Sequence, residues 1–392
     1  IPFPHFNRLD GRPVKPSPMY ERLKEKGAVY EEVFGHERPR WFARDGVEQR
    51  DYYSFRQTPV DAMIAQECKA VREAVGIMDI SAFTKVEVTG PDAESFLDGL
   101  LPNRLPKKIG GIGLSHFLHE NGRIELETTV IKFDENRYYL VCAAFFETRL
   151  TDYLSQRQQG ADVVINVLST DWAALALQGP KSRDVLAATT DAALDNASFK
   201  WLSSQEIEIA GHRVWAMRLS YAGELGWEIH GPAEGMLAVY DALWAAGEVH
   251  GITDYGSFAM NAMRMEKMFK GAGELTNEVT LPEADVMRFV KMDKDFVGKA
   301  PTQASLDASE MPWVCAYLVI EPEGDEDGHG GEAVLMDGEV VGSTSSVAFG
   351  PTVGKILAFA YIKPRAATAG QPLEVVIQGK PRKAVVADQP LY

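Results

Sequence analysis

The sequence predicts an α+β protein that ends in a small all-β domain. Helix and strand patterns follow each other in mixed order, without the regular strand–helix alternation of a doubly wound sheet. Beyond Pro301, an acidic, glycine-rich loop at 321–331 separates short strand patterns with no good helix, which is typical of a β-barrel or roll. At 392 residues the chain is also too long for one compact core. We therefore expect an N-terminal extension (1–55), a central α+β region (56–305) and a C-terminal β-barrel domain (312–392).

The N-terminal extension is predicted to start as an extended chain that is anchored further on. Its prolines, which favour extended backbone, are Pro2, Pro4, Pro13, Pro16 and Pro18. Residues 20–26 predict a short helix. Trp41 and Phe42 are expected to anchor the extension on the larger body of the protein.

The central region opens with a strand pattern, because Lys85–Thr89 alternates polar and apolar residues as a half-buried strand does. Pro91 favours the start of a helix whose apolar stripe is formed by 96, 97, 100 and 101. Two more helices are predicted at 233–246, which Gly247 would end, and at 257–269. Further strands are predicted at Thr128–Phe133, Tyr138–Ala143, Val163–Leu168 and Ala173–Leu177.

Charge and cysteine content exclude several classes of partner. The formal net charge of -16 argues against nucleic acid or an anionic membrane surface as the partner. No apolar run approaches the roughly 20 residues that a membrane helix needs. The only cysteines are Cys68, Cys142 and Cys315, an odd number placed far apart, which is typical of a reducing compartment. We therefore expect a cytoplasmic protein that acts on a small molecule.

A candidate ligand-binding segment lies at Ser220–His230. Gly223 and Gly226 bracket an acidic turn, and a strand pattern leads into it. Glu228 follows beside apolar neighbours, where an unpaired carboxylate would cost several kcal/mol. A fixed carboxylate can accept two parallel N–H donors from a planar heterocycle. This segment therefore predicts a binding site for such a ligand.

A second pair of carboxylates follows the turn at Asn121–Arg123. Period-two alternation places Glu125 and Glu127 on one face of a strand, opposite Ile124 and Leu126. The pattern alone favours a solvated strand face. The alternative is a general base or a stabiliser of positive charge, which contributes typically about 10²–10⁴-fold to a rate. Spacing does not decide between the two.

Two other pairs of residues have simpler interpretations. His116 and His119 are three residues apart, but they precede a turn and no further ligand follows at suitable spacing, so no metal site is expected. Arg264 and Glu266 point to different sides of the third predicted helix, and pattern alone favours surface ion pairs of little energetic value.

Four segments together resemble the aminomethyltransferase (glycine-cleavage T-protein) superfamily in order and spacing. They are Gly76–Ser81, Leu177–Arg183, Ser220–His230 and Ala262–Lys267. Within the superfamily, the chain is most similar to the folate-binding C-terminal half of dimethylglycine and sarcosine dehydrogenases, without their FAD domain. The resemblance implies a three-lobed, clover-like fold in which two interleaved α+β subdomains and the barrel surround tetrahydrofolate in a central channel.

The resemblance also implies roles for four residues. Glu228 matches the glutamate that binds the amino-pyrimidinone edge of the pterin, and Tyr221 matches a tyrosine near the pterin. Arg264 resembles the family arginine that lines the folate site. Glu127 falls where many members have a catalytic aspartate close to folate N5, so it is the candidate catalytic residue.

The chain departs from the family pattern at two places. Pro59–Met63 replaces a run that contains two aromatic residues, which is expected to reshape the segment, at the donor-side entrance in one interpretation. Ala272 stands where relatives often have tryptophan, which suggests a roomier channel wall. Both changes concern the one-carbon donor more than the folate.

Two enzymatic mechanisms and one non-catalytic role follow from the resemblance. In the first, favoured by the missing flavin domain and by Pro59–Met63, folate N5 takes a methyl group directly from a small methylated amine, quaternary ammonium or sulfonium donor. In the second, a separate flavoprotein oxidises an N-methyl amine, and this chain captures the carbon as 5,10-methylene-tetrahydrofolate. In the third, the chain binds folate without catalysis.

Overall fold

The computed structural model describes residues 9–392, so the predicted proline-rich start lies partly outside the described residues, at Pro2 and Pro4. The helices are α1 Tyr20–Glu25, α2 Pro59–Glu73, α3 Ala93–Leu100, α4 Glu147–Arg157, α5 Ser182–Ala187, α6 Ala233–Gly247, α7 Ser257–Glu266 and α8 Lys299–Asp307. The strands up to residue 178 are β1 Ala28–Val33, β2 His36–Phe42, β3 Gly76–Asp79, β4 Thr84–Thr89, β5 Ile112–Leu118, β6 Ile124–Asp134, β7 Arg137–Cys142, β8 Val164–Val167 and β9 Trp172–Gln178. The later strands are β10 Ser204–Ile209, β11 His212–Met217, β12 Gly226–Pro232, β13 Thr253–Asp254, β14 Val314–Ile320, β15 Ala333–Met336, β16 Glu339–Gly350, β17 Lys355–Ile362, β18 Pro372–Ile377 and β19 Lys380–Ala387.

Two large sheets and a barrel form three lobes, and this α+β architecture confirms the predicted fold class. Sheet A has six strands in the order β10-β11-β12-β9-β3-β13, and sheet B has five in the order β5-β6-β7-β4-β8. The closed barrel has the order β14-β17-β16-β15-β18-β19. Strands β3 and β9 of sheet A lie on either side of the sheet B strands along the chain, so the two sheets interleave.

The helix ends differ from their predicted positions for local backbone reasons. The helix that begins at Ala233 continues past Gly247 into a 3₁₀ turn, and Gly251, with a φ of 72°, ends it instead. The third predicted helix stops at Glu266, three residues early, because Met268 has a φ of 58°. A residue in the left-handed region cannot continue a right-handed helix.

Sheets A and B face each other across an aromatic layer. The ring of Phe133 on β6 stacks on Trp215 of β11 at 3.9 Å and on Tyr139 of β7 at 4.8 Å. In antiparallel pairs, Cα partners point to the same side of a sheet. The register therefore places Glu228, the partner of Met217, on the side of sheet A that faces sheet B. Side chains from both sheets thus meet in the space between them.

The N-terminal segment packs on sheet A as predicted. Trp41 and Phe42 are almost completely buried, which confirms their anchoring role. Val60 and Met63 of α2 pack against Trp41 in a small separate core. Pro59 and Ala62 of the same segment are exposed, and the expectation that the segment lines a donor entrance stays a prediction.

Candidate active site between the two sheets

Glu228 contacts His230, which in turn contacts Tyr139, and both of these side chains are buried. His230, two residues further along β12, places Nε2 3.4 Å from Glu228 Oε2. The Nδ1 atom of His230 lies 3.0 Å from the hydroxyl of Tyr139 on sheet B. The other carboxylate oxygen, Oε1, has no hydrogen-bond partner among residues 9–392 and is not an enclosed atom. One oxygen of Glu228 is thus supported by protein, and the other is open.

Electrostatic effects determine the protonation states of Tyr139 and His230. Burial lowers the pKa of His230, and the smaller effect of the Glu228 carboxylate raises it again. Burial raises the pKa of Tyr139 well above its usual value, so its hydroxyl stays protonated. A neutral imidazole has one donor and one acceptor nitrogen. Tyr139 therefore donates to His230 Nδ1, and the remaining N–H at Nε2 points toward Glu228 Oε2.

Tyr221 lies in the loop that connects β11 to β12. Its hydroxyl donates to the carbonyl oxygen of Lys270 at 2.8 Å, and its ring stacks on Phe269 with centroids 6.0 Å apart. A Cβ atom at Gly271 would lie only 2.9 Å from the Tyr221 hydroxyl and 3.8 Å from the guanidinium carbon of Arg264. Gly271 therefore allows Tyr221 and Arg264 to come together.

Arg264 is buried and hydrogen-bonded through Nε and Nη1, so the predicted surface ion pairing is wrong. Its Nη1 donates to Glu274 at 2.9 Å and to the Phe269 carbonyl at 3.0 Å. Glu266 is also buried and accepts from Arg72 of α2 at 2.8 Å. The reason is that α7 packs against α2 on one side and against barrel strand β16 on another, so both polar side chains are covered.

Glu274 connects this part of the site to the barrel. Its Oε2 accepts from Arg264 and from the backbone N–H of Gly271. Its Oε1 accepts from the hydroxyls of Ser345 and Ser346, which lie at a β-bulge of β16. The carboxylate is therefore saturated with donors, and the barrel takes part in placing Arg264.

Glu127 lies beside His116 at the opposite side of the site, on sheet B. The two residues are Cα partners on β6 and β5, and His116 Nε2 is 3.4 Å from Glu127 Oε1. The Glu127 side chain remains 29% exposed, whereas that of His116 is completely buried. Burial raises the pKa of Tyr221, with smaller effects from Arg264, which lowers it, and from Glu127, which raises it. Glu127 and Arg264 thus both act electrostatically on Tyr221.

Glu125 does not share the environment of Glu127, in contrast to the prediction. A β-bulge on β6 leaves Glu125 without a Cα partner on β5, so the strict alternation is broken. Glu125 is buried and forms ion pairs with Arg149 of α4, at 2.7 Å, and with His119. It is therefore neither solvated nor available for chemistry, whereas Glu127 is partly open.

A cleft of ≈ 970 Å³ lies at the end of the β5–β6 hairpin. His119 and Glu125 line one wall, and Ala272, next to Gly271, lines another. Residues that line the cleft are thus sequence neighbours of site residues, since Glu125 lies two residues before Glu127 and Ala272 follows Gly271. Within residues 9–392, no cluster of three or more histidine, cysteine or acidic side chains could bind a metal ion.

The four predicted site residues lie on different elements, and the structure adds four residues that sequence reasoning missed. Those residues are Tyr139, His230, Glu274 and His116, the last of which was considered only as a metal ligand. His230 could have been found, since period-two alternation places it on the same face as Glu228. Glu274 lies in a loop, and no local pattern predicts its contacts.

Two family descriptions match most of the chain. Residues 19–294 match the GCVT N-terminal domain, and residues 315–392 match the glycine cleavage T-protein C-terminal barrel domain. The boundary between the two matches lies where the predicted barrel domain begins.

Larger proteins also contain a region similar to the whole chain. The chain is 34% identical over 398 residues to human mitochondrial dimethylglycine dehydrogenase, covering 100% of this chain and 45% of that protein. It is 29% identical over 393 residues to the 4-methylaminobutanoate oxidase (formaldehyde-forming) of Paenarthrobacter nicotinovorans, covering 100% of this chain and 47% of that protein. It is 28% identical over 367 residues to sarcosine oxidase subunit alpha of Rhizobium meliloti, covering 90% and 36%. The chain therefore spans less than half the length of these curated relatives.

One solved structure has the same fold over nearly its entire length. The glycine cleavage system aminomethyltransferase T from Bartonella henselae superposes with a TM-score of 0.82 at 24% identity, covering 97% of this chain and 98% of that one. At this identity the likeness concerns the fold alone, and it confirms the three-lobed prediction. Across residues 9–392, no helix has the length and apolar character needed to cross a membrane.

Proposed function

Because the chain belongs to the glycine cleavage T-protein family, we propose that it is a tetrahydrofolate-dependent one-carbon transferase that takes its carbon from a small N-methylated amine. Folate binding and the identity of the donor are both part of this proposal. The region around Glu228, Tyr221, Arg264 and Glu127 is the proposed site.

The observation that carries the proposal is the half-supported carboxylate of Glu228. Oε2 is directed by His230, while Oε1 is open to a ligand. The pyrimidinone edge of a pterin presents adjacent N–H donors, which a carboxylate accepts as charge-assisted hydrogen bonds. The residues present thus fit a pterin: Glu228 would bind its edge, and Tyr221 and Arg264 would line the site.

Tetrahydrofolate, when bound, supplies the N5 and N10 nitrogens that accept the carbon. Glu127 is the available carboxylate on the other side of the site, and its partial exposure lets it exchange protons. Condensation of two N–H groups with formaldehyde releases one water, so protons must leave nitrogen and reach oxygen. We assign that proton transfer to Glu127 as general acid and base.

The names of the relatives favour a carbon at the oxidation level of formaldehyde. They include a dimethylglycine dehydrogenase and a formaldehyde-forming oxidase of a methylamino acid. In this proposal an oxidising flavoprotein unit removes two electrons from the N-methyl group and is itself reduced. The present chain then captures the resulting iminium carbon or formaldehyde as 5,10-methylene-tetrahydrofolate.

Direct methyl transfer to folate N5 is the second candidate. The observation that favours it is the partly buried carboxylate of Glu127, since its negative charge would stabilise a cationic quaternary ammonium or sulfonium donor.

The product of the reaction distinguishes the two routes. We expect the protein to form 5,10-methylene-tetrahydrofolate from tetrahydrofolate and ¹³C-formaldehyde faster than the uncatalysed condensation, as measured by mass spectrometry. The Glu228→Ala variant is the matched control, and its rate of 5,10-methylene-tetrahydrofolate formation serves as the background. Formation of 5-methyl-tetrahydrofolate from ¹³C-methyl donors would instead establish direct transfer. Tight folate binding with neither product would establish the non-catalytic role.

The barrel contacts of Glu274 give a further prediction. Replacing Ser345 and Ser346 together with alanine removes two donors from the buried Oε1 of Glu274. Hydrogen bonds to charged groups contribute about 1.5–3 kcal/mol each. If Arg264 lines the folate site, its displacement should raise the tetrahydrofolate Kd by roughly tenfold, as measured by titration calorimetry.

The control for the serine pair is Ser343→Ala on the same strand, because Ser343 is exposed and lies two residues before Ser345. An unchanged Kd in the double variant would show that Glu274 and the barrel do not place Arg264 for folate.

A further inference from the structure

His116 has an unusual environment for a buried histidine. Its side chain is completely inaccessible to solvent, yet neither Nδ1 nor Nε2 makes a hydrogen bond with any residue between 9 and 392. The nearest aromatic ring, that of Phe289, is 6.2 Å away, centroid to centroid. The imidazole is thus enclosed without a satisfied polar atom.

An enclosed, unsatisfied polar group is costly. Each buried donor or acceptor left without a partner costs roughly 1–3 kcal/mol, and native proteins satisfy about 90% of such groups. A leucine or phenylalanine would avoid this cost at the same position on β5. The residue type therefore indicates that His116 has a polar partner in another side-chain arrangement of the site.

Glu127 is the polar group best placed to be that partner. The two residues lie opposite each other on adjacent antiparallel strands, with His116 Nε2 3.4 Å from Glu127 Oε1. The two atoms are close but do not form a hydrogen bond. The Glu127 side chain is partly exposed and has no other ion-pair partner among the described residues, so it is free to rotate toward His116.

The second histidine–glutamate pair of the same hairpin shows the contrast. Arg149 Nε lies 2.7 Å from Glu125 Oε1, and His119 lies beside Glu125 Oε2, so Glu125 has a basic side chain next to each carboxylate oxygen, although Oε2 makes no hydrogen bond. At Glu127 only Oε1 is approached, and Oε2 has no partner among residues 9–392. Glu125 is thus tied to two neighbouring side chains, whereas Glu127 has one oxygen to spare for a reacting molecule.

We propose that His116 is the positioning residue of Glu127: its Nε2–H donates to Oε1 when the site is loaded, which directs Oε2 toward the reacting nitrogen and carbon. This inference rests on the proposed function, in which Glu127 exchanges protons with the reactants. His116 contributes no proton of its own to the balance, since it donates the same N–H throughout. Sub-ångström orientation of a catalytic group matters because a misplacement of about 1 Å can cost roughly 10²-fold in rate.

The test separates orientation from folding and from folate binding. In His116→Leu the donor is lost, and we expect kcat for methylene-tetrahydrofolate formation to fall by roughly 10–100-fold, while the Kd of tetrahydrofolate stays within about twofold. In His116→Gln an amide N–H can reach the Nε2 position, so most of the kcat should be retained. His116→Met also removes the donor and replaces the leucine variant if that variant does not fold.

His119→Gln is the matched control, because it alters the equivalent pair of the same hairpin and should leave kcat unchanged. The proposal is overturned if His116→Leu or His116→Met retains full kcat, or if the glutamine variant loses as much activity as the apolar variants. It is also overturned if Kd rises by the same factor as kcat falls. If the wild-type protein neither binds tetrahydrofolate nor forms product, the proposed function fails first, and the two failures are therefore distinguishable.

Discussion

Replacing Glu228 with alanine is expected to raise the dissociation constant of tetrahydrofolate by roughly 10²–10³-fold. The proposed interaction comprises two hydrogen bonds from the pterin edge to one carboxylate, and bonds to charged groups contribute about 1.5–3 kcal/mol each. A combined loss of roughly 3–4 kcal/mol corresponds to this change in affinity. Titration calorimetry or quenching of intrinsic fluorescence would measure it.

The control for Glu228 lies in the same segment. Glu224 also carries a carboxylate, but it pairs with Arg72 at 2.9 Å and not with the His230 chain. Glu224→Gln should therefore leave folate affinity unchanged, whereas the isosteric Glu228→Gln should lower it, because the amide offers one acceptor oxygen and no charge. Equal tetrahydrofolate affinities in wild type and Glu228→Ala would disprove the assignment of Glu228 as the residue that binds the pterin edge.

Glu127→Gln is expected to separate binding from chemistry. The amide preserves the size of the side chain but cannot exchange protons, and general acid–base groups contribute typically about 10²–10⁴-fold. We therefore expect kcat to fall by that factor while the Kd of tetrahydrofolate changes little. Single-turnover kinetics with ¹³C-formaldehyde, compared with binding measured by calorimetry, would report both quantities.

Glu125→Gln provides the comparison for Glu127, since Glu125 lies two residues away on the same strand but is ion-paired with Arg149. This variant should lose stability, because it leaves the Arg149 guanidinium without its carboxylate, and it should keep its kcat. Unchanged turnover in Glu127→Gln would remove Glu127 from the mechanism.

Much of this fold could be predicted from periodicity. The alternation in Lys85–Thr89 corresponds to β4, the strand predicted at Tyr138–Ala143 corresponds to β7, and the absence of helix patterns after residue 312 corresponds to the closed barrel. Glu228 was predicted as a ligand reader from its acidic turn and apolar neighbours, and this assignment remains a prediction. Each of these inferences used neighbouring residues only.

Some predictions failed where a neighbouring element changed the local pattern. The bulge on β6 broke the alternation that had placed Glu125 beside Glu127. Burial of α7 between α2 and the barrel changed Arg264 and Glu266 from expected surface residues to buried ion pairs. A local pattern contains no information about which surfaces other elements will cover.

The amino-acid order alone establishes the elements, the family resemblance and the carboxylate of Glu228. Only the folded chain reveals what orients the site: Tyr139 meets His230 across 91 residues of sequence, and Ser345 meets Glu274 across 71. Secondary structure follows from backbone dihedral preferences and hydrophobic periodicity, which act over a few residues. Contacts between sheets A and B, and between α7 and the barrel, depend on how these elements pack. Packing therefore decides which oxygen of each glutamate is supported and which is free to act.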